Sequence, residues 1–250
     1  MIETAKPTFG NENLNIVALI VAGGKGKRLG TNTNKQFLKI GGHPILCWTL
    51  WRFHQIKWIK EIILVIPANK KKFVLEEIIK KYKFELVNKI ISGGKERQES
   101  VFKGLQAINS NPQIVFIHDA VRPFVSQDSF KRLYETVKNT GNAILGIPSQ
   151  DTVKEIEKFG IIKTKKRDKI WLVQTPQAFN YDLILAAHHQ AAIHGFKATD
   201  DSSLIERIKI PIHLVKGNTY NLKITTKIDL DIAERLVFYY FRKNTFFYIK

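Results

Sequence analysis

Six short apolar runs, built mostly of Ile, Val and Leu, recur along this chain with longer amphipathic segments between them. They are Ile16 to Val21, Ile62 to Ile66, Leu86 to Ile91, Ile114 to Ile117, Ala143 to Ile147 and Ile212 to Val215. Near-continuous apolar strands suit a sheet covered on both faces, and their alternation with helices is the βαβ rhythm of a mainly parallel sheet. The intervening segments read as those helices. One opens at Pro44 and carries Leu46, Leu50 and Phe53 on one face, and Glu96 to Ile108 and Gln127 to Lys138 follow. Ser203-Leu204-Ile205-Glu206 has the form of a capping box for a short helix, and Lys227 to Tyr239 closes the fold as another. The expected class is α/β.

At 250 residues the chain suits one such domain with an elaboration. The expected organisation is an N-terminal extension over 1–14, a single domain over 15–240 and a C-terminal tail over 241–250. No stretch approaches a transmembrane span, and the start, polar with Glu3 and Glu12, is neither a signal peptide nor a good transit peptide. Cys47 is the only cysteine, which excludes an internal disulfide and any multi-cysteine metal site and fits a reducing, cytoplasmic compartment. The seven histidines lack zinc-ligand spacing; His188, His189 and His194 fall in a helical stretch and read as surface residues. The net charge of +18 could serve nucleic acid or small polyanionic substrates. Its lysines are scattered, with Lys70-Lys71-Lys72 and Lys80-Lys81 on one solvated helix face, and no zinc finger or RNA-recognition motif accompanies them. Most of the charge therefore reads as compositional, with no nucleic-acid or membrane partner.

One segment breaks the rhythm. From Ser149 to Trp171 the chain is strongly charged and alternating, without a helical stripe. A β-hairpin turning near Phe159-Gly160 is the simplest structure, and it is too polar for the core, so a protruding arm over 149–171 is expected. An isolated two-stranded arm is marginal in water, which makes a second subunit its natural support.

Directly after the first apolar run comes Val21 to Leu38, VAGGKGKRLGTNTNKQFL, a glycine loop bearing Lys25, Lys27, Arg28 and Lys35. Glycines let backbone N–H groups approach an anion closely, and the cations offset its charge. No Gly-x-x-x-x-Gly-Lys-Ser/Thr run is present, so this is not a Walker P-loop. Gly24, Gly26 and Gly30 have the wrong second gap for a dinucleotide fingerprint, which counts against an NAD-dependent oxidoreductase. The pattern resembles the signature loop of nucleotidyltransferases, although a glycine-rich turn on a solvated basic edge would use the same residues.

Further constellations sit at strand ends. His118-Asp119-Ala120-Val121-Arg122-Pro123-Phe124 follows a buried strand, on the rim where open α/β sheets bind ligands. Asp119 there either coordinates Mg²⁺ bridging a triphosphate or pairs with Arg122 and shapes the turn. Ser92-Gly93-Gly94-Lys95-Glu96-Arg97-Gln98-Glu99-Ser100 also leaves a strand and opens a helix, with glycines that admit a flat base or ribose. Gln174-Thr175-Pro176-Gln177-Ala178-Phe179, Thr199-Asp200-Asp201-Ser202-Ser203 and Asn221-Leu222-Lys223-Ile224-Thr225 add hydroxyls, amides and a cation at element ends. Singly they are turn and cap chemistry.

In this order they resemble the 2-C-methyl-D-erythritol 4-phosphate cytidylyltransferases of the non-mevalonate isoprenoid pathway, from about Val17 to about Arg235. The resemblance implies a bacterial, cytoplasmic enzyme with a Rossmann-like sheet, helices on both faces, and a β-arm that interlocks in a homodimer. It implies CTP and 2-C-methyl-D-erythritol 4-phosphate as substrates and Mg²⁺ as cofactor. By residue match, Arg28 and Lys35 stabilise the pentacoordinate phosphorus, and Gly24, Gly26 and Lys27 belong to the phosphate loop. Gly93, Gly94 and Ser100 match the cytidine segment, and Asp119 matches the metal-associated aspartate, with Arg122 after it. Thr152, Arg167, Thr175, Thr199 and Lys223 match positions around the acceptor. Arg167 and Lys223 orient its phosphate, and the arm's Thr152 and Arg167 reach the partner's site. The chain departs from the family in Ala22-Gly23-Gly24, a variant shared with ribitol-5-phosphate cytidylyltransferases, and in Asn34, where Pro is usual. The aromatic tail from Phe238 to Lys250 has no counterpart in the pattern.

The implied reaction joins CMP from CTP to the acceptor's phosphate and releases pyrophosphate. That phosphate is already ionised at neutral pH, so no general base is required. Cations, a metal-binding carboxylate and backbone donors suffice if catalysis is mostly positioning and charge stabilisation. Ribitol-5-phosphate cytidylylation is the alternative within the class, and a basic nucleic-acid-binding α/β protein the alternative outside it.

Overall fold

The computed structural model describes residues 14–24, 34–157, 160 and 162–241. After β1 (Ile16–Val21) come a 3₁₀ turn (Lys35–Phe37) and a small hairpin of β2 (Lys39–Ile40) and β3 (His43–Pro44). Next are α1 (Ile45–His54), β4 (Ile59–Ile66) and α2 (Lys71–Val74), which runs on as a π-helical turn (Leu75–Lys80). Then follow β5 (Val87–Ser92), α3 (Arg97–Gln106), β6 (Ile114–Asp119), α4 (Gln127–Thr140) and β7 (Asn142–Pro148). β8 (Lys154–Ile156) and β9 (Ile162–Thr164) form a separate hairpin before β10 (Trp171–Asn180). The last elements are α5 (Tyr181–Ile193), α6 (Ser202–Arg207), β11 (His213–Lys216) and α7 (Lys227–Phe241).

Seven strands make the main sheet, in the order β11-β7-β10-β6-β1-β4-β5. Every pairing is parallel except those of β10, which runs antiparallel to both β6 and β7. All six residues of β1 are buried, and its alternation divides them between two cores. Ile16, Ala18 and Ile20 face the layer of α1, α4 and α7, whereas Val17, Leu19 and Val21 face α3, α5 and α6. Burying each of its Ile, Val and Leu side chains contributes about 1.5–3 kcal/mol, so β1 anchors both layers. α3 packs so closely that a Cβ on Gly104 would collide with Leu19 of β1 and Val65 of β4. α4 begins with Ser126 Oγ accepting the Ser129 N–H at 3.1 Å and ends at Gly141, whose φ of 80° is the left-handed stop that glycine favours.

The main departure from the sequence reading is β10. Its polar centre, Gln174-Thr175-Pro176-Gln177, reads as a turn but lies buried in mid-sheet. Proline cannot donate to a ladder, and the strand accommodates it with a register shift between Gln174 and Gln177 against β7. The buried amides keep partners: Gln174 Nε2 donates to Asn218 O at 2.9 Å, and Gln177 Nε2 to Asp200 Oδ2 at 2.6 Å. Two smaller corrections concern caps. Pro44 caps α1 instead of opening it, and α6 begins at Ser202 with Asp200, not Ser203, accepting a first-turn N–H.

The arm is a hairpin as expected. β8 and β9 pair antiparallel, Gly160 takes φ +78°, and Ile156 is 78% exposed. It rises between β7 and β10, which pair again from Pro148 and Trp171 onward. The lysine-rich face is solvated, with Lys80 and Lys81 paired to Glu76 and Glu77 at i,i+4 spacing. Among the described residues, no helix is long and apolar enough to cross a membrane.

Candidate active site

Register places the ends of β1, β4, β5 and β6 on one rim: Val21 pairs with Asp119 and with Val65, and Ile66 with Ser92. The loop leaving β1 is held at its root. Ala22 N–H donates to Val65 O at 2.7 Å, and the buried Gln36 amide donates to Ala22 O. Asn34 Nδ2 reaches Gly24 O at 3.3 Å. Lys35 crosses the face of Gly24, where a Cβ would stand 2.9 Å from Lys35 Cε. The expected Gly26, Lys27 and Arg28 lie outside the described residues.

Opposite this loop, Gly93 N–H donates to Ile66 O at 2.8 Å. Gly94 N–H donates to Ser100 Oγ at 3.0 Å, while the Ser100 hydroxyl donates to Glu96 O at 2.9 Å. A side chain at Gly93 would put its Cβ 2.9 Å from Ser100 Oγ, so glycine is required for this close approach. Between the two loops lies a cleft of about 270 Å³ with Gly24, Lys35, Gly94, Lys95 and Ser100 in its walls. Its lysines suit an anion, and its glycines leave room for close approach beside them.

Asp119 closes the end of this cleft. Oδ1 lies 2.9 Å from Arg97 Nε and Oδ2 lies 2.6 Å from Lys223 Nζ, with Arg122 Nε farther off at 3.9 Å. Burial alone would raise its pKa, but Arg97 and Lys223 hold it well below the usual carboxylate range. Its turn is fixed from below by Thr49 of α1, whose hydroxyl donates to Ala120 O at 2.7 Å. Lys223 arrives because Ile224 N–H donates to Val121 O at 3.0 Å, stitching the segment after β11 to the Asp119 turn. Arg122 Nη1 donates to Asn221 O at 2.7 Å, and Asn221 Nδ2 to Thr175 O at 2.9 Å.

His118, fully buried on β6, supplies a further brace. Burial lowers its pKa to about 3, so the ring is neutral. Nε2–H then donates to Arg122 O at 3.0 Å, and Nδ1 accepts from the Thr175 hydroxyl at 3.1 Å. Thr175 Oγ1 in turn accepts the Asp119 N–H at 3.0 Å. Thr175 therefore uses its hydroxyl proton within the protein and locks the Asp119 backbone.

A second cleft of about 390 Å³ opens on the other side of Asp119, with Arg122, Thr175, Gln177, Thr199 and Ser203 among its walls. Arg97, Asp119 and Lys223 line both clefts. Thr152 and Arg167 line neither; both are exposed on the arm, where Arg167 Nη1 donates to Gln150 O at 2.9 Å. The structure thus brings together Gly24, Lys35, Gly93, Gly94, Ser100, Asp119, Arg122, Thr175, Thr199 and Lys223, and leaves Thr152 and Arg167 apart.

Arg97, inside the loop from Ser92 to Ser100, joins the site without any sequence signal that sets it apart from its charged neighbours. His188 reads as a surface residue in the sequence, whereas its side chain is fully buried, 3.3 Å from Asp201. The helical stripe of α5, with Tyr181, Ile184, Ala187, His188 and Ala191 inward, carries that information. His189 and His194 are exposed as expected.

Two clefts that meet at a carboxylate bracketed by cations, on the carboxyl rim of an α/β sheet, give the arrangement a nucleotidyltransferase needs. Comparison with known proteins narrows the class. The model of the family described as 2-C-methyl-D-erythritol 4-phosphate cytidylyltransferase matches residues 16–238, and the chain belongs to that family. A relative of that name from Syntrophus aciditrophicus is 43% identical over 220 residues, 88% of this chain and 94% of its own. One from Geobacter metallireducens is 41% identical over 225 residues, 89% of this chain and 97% of its own. Among solved structures, the 4-diphosphocytidyl-2C-methyl-D-erythritol synthase of Anaerococcus prevotii superposes with a TM-score of 0.80 at 33% identity, covering 90% of this chain and 99% of that one. The Francisella tularensis cytidylyltransferase gives 0.75 at 32%, covering 88% and 99%.

Proposed function

We propose that the two clefts divide the substrates of the family reaction. CTP occupies the glycine-lined cleft and 2-C-methyl-D-erythritol 4-phosphate the Thr199 cleft. The observation that carries this reading is that Asp119, Arg97 and Lys223 line both, so the α-phosphorus and the attacking phosphate oxygen meet there. That oxygen forms the new P–O bond as the bond to pyrophosphate breaks, giving the CDP-alcohol. No side chain need take a proton, and the neutral His118, with both ring nitrogens engaged, is unsuited to doing so.

Lys35 against Gly24, with Arg28 assigned by family resemblance, stabilises charge growing on the α-phosphate. Lys223 and Arg122 hold the acceptor's phosphate beside it. Gly93, Gly94 and the Ser100-pinned loop admit the cytosine and ribose.

Asp119 would serve Mg²⁺ as a single carboxylate ligand once Arg97 or Lys223 releases one of its oxygens. Both of its oxygens are held by cations, and no group of three or more His, Cys, Asp or Glu able to hold a metal occurs among the described residues. That donor set suits an ion arriving with the triphosphate rather than a resident one. When bound, it would neutralise charge on the phosphates. A homodimer in which the arm delivers Thr152 and Arg167 to the partner's acceptor cleft accounts for their distance from the clefts of their own chain. A cytoplasmic location accords with the metabolic role of the bacterial relatives.

Incubation with Mg²⁺, CTP and either methylerythritol phosphate or ribitol 5-phosphate, reading pyrophosphate release, tests the assignment. Release is expected with methylerythritol phosphate. Release with ribitol 5-phosphate alone would reassign the acceptor, and release with neither would contradict the reading.

A further inference from the structure

Behind Asp119 the ion pairs continue into the protein. The guanidinium of Arg97 bridges two carboxylates, with Nε 2.9 Å from Asp119 Oδ1 and Nη1 2.8 Å from Asp201 Oδ2. Asp201 is 1% exposed, and its other oxygen lies 3.3 Å from Nε2 of the buried His188 on α5. Phe102 of α3 lies parallel to that imidazole, with 6.0 Å between centroids and 9° between planes. Among the described residues neither Asp201 nor His188 lines either cleft, whereas Arg97 lines both. Burying a carboxylate is costly unless it is paired. Here the pairing is directed at one residue of the site.

We propose that Asp201, backed by His188, is a positioning residue that keeps Arg97 at the meeting point of the clefts when Asp119 engages its ligands. A guanidinium held by Asp119 alone would follow that carboxylate or be displaced with it. With Nη1 ion-paired to Asp201, the Nε–H stays in place as a donor where charge develops on the transferring phosphate. Arginine suits the task because its planar fork spans two carboxylates, which a lysine ammonium cannot do in the same geometry. The inference rests on the two-cleft reading, and its test separates the two.

Asp201→Asn, nearly isosteric, is compared with wild type in the full-length protein by two measurements. The first is the ¹⁵N NMR signal of the Arg97 Nε–H without ligands, assigned by its loss in Arg97→Lys. The second is steady-state kinetics with CTP, Mg²⁺ and methylerythritol phosphate. The expected result is a displaced, faster-exchanging Nε–H signal and a kcat lower by about 10- to 100-fold with the KM for CTP little changed, as for a misplaced contact. His188→Gln should move both readouts the same way by less. A folded Asp201→Asn protein with the wild-type signal and kcat overturns the proposal. If that variant does not fold, the same null result in His188→Gln overturns it. If wild type transfers no CMP, the two-cleft reading fails, while the Nε–H signal still decides whether Asp201 holds Arg97.

Discussion

Asp119 illustrates how far a single residue depends on its surroundings. Its place at the end of β6 was legible, because an acidic residue directly after an apolar run sits on the binding rim of an α/β sheet. Its partners were not, since Arg97 and Lys223 come from segments 22 residues before it and over 100 after it. Asp119→Asn should raise the Mg²⁺ concentration needed for half-maximal activity and lower kcat by about 10²–10³-fold. Kinetics across a Mg²⁺ series check this; an unchanged dependence would leave Asp119 a loop-shaping residue. His118 carries a stability prediction. Its pKa is depressed by burial to about 3, so the unfolded chain binds its proton near pH 6.5 while the folded chain stays neutral. Stability therefore falls as pH drops from about 6.5 toward 3, by on the order of 5 kcal/mol from this group. Denaturation of His118→Asn at several pH values should show that part of the slope removed. An undiminished slope would assign it to other groups.

Elements were legible where one physical demand dominated. Parallel strands buried on both faces need continuous apolar residues, and each of the six runs is a strand of the main sheet. β10 was hidden because its demand is mixed: a central strand that also supplies Gln174, Thr175 and Gln177 to the site region, with Pro176 inside it. Polar residues there are buried and hydrogen-bonded to neighbours remote in sequence, which local pattern cannot reveal. The small size of Gly104 is likewise set by β1 and β4, not by its own helix. Gly104→Ala should destabilise the protein by about 1–3 kcal/mol through overpacking, although alanine is the better helix former. Chemical denaturation measures this, and a stabilised variant would show that α3 can move off the sheet.

At the scale of the molecule, the arm is the feature that the clefts of its own chain do not use. Its charge and alternation marked it in the sequence, and its hairpin carries Thr152 and Arg167 away from the clefts lined by their own chain. If each arm serves the other subunit, co-expressed Arg28→Ala and Arg167→Ala chains should form a heterodimer with partial activity. One of its two sites would hold both wild-type residues. A verified heterodimer no more active than either mutant would return Arg167 to its own subunit's site. The central claim, that two clefts share one reacting centre at Asp119, is tested most directly by a structure of the protein with CTP, Mg²⁺ and an unreactive analogue of the acceptor. The cytosine should lie over Gly93 and Gly94, with the α-phosphate beside Lys223 and Asp119 and the acceptor's phosphate approaching it from the Thr199 side. An α-phosphate bound away from Asp119, or both ligands competing for one cleft, would contradict it.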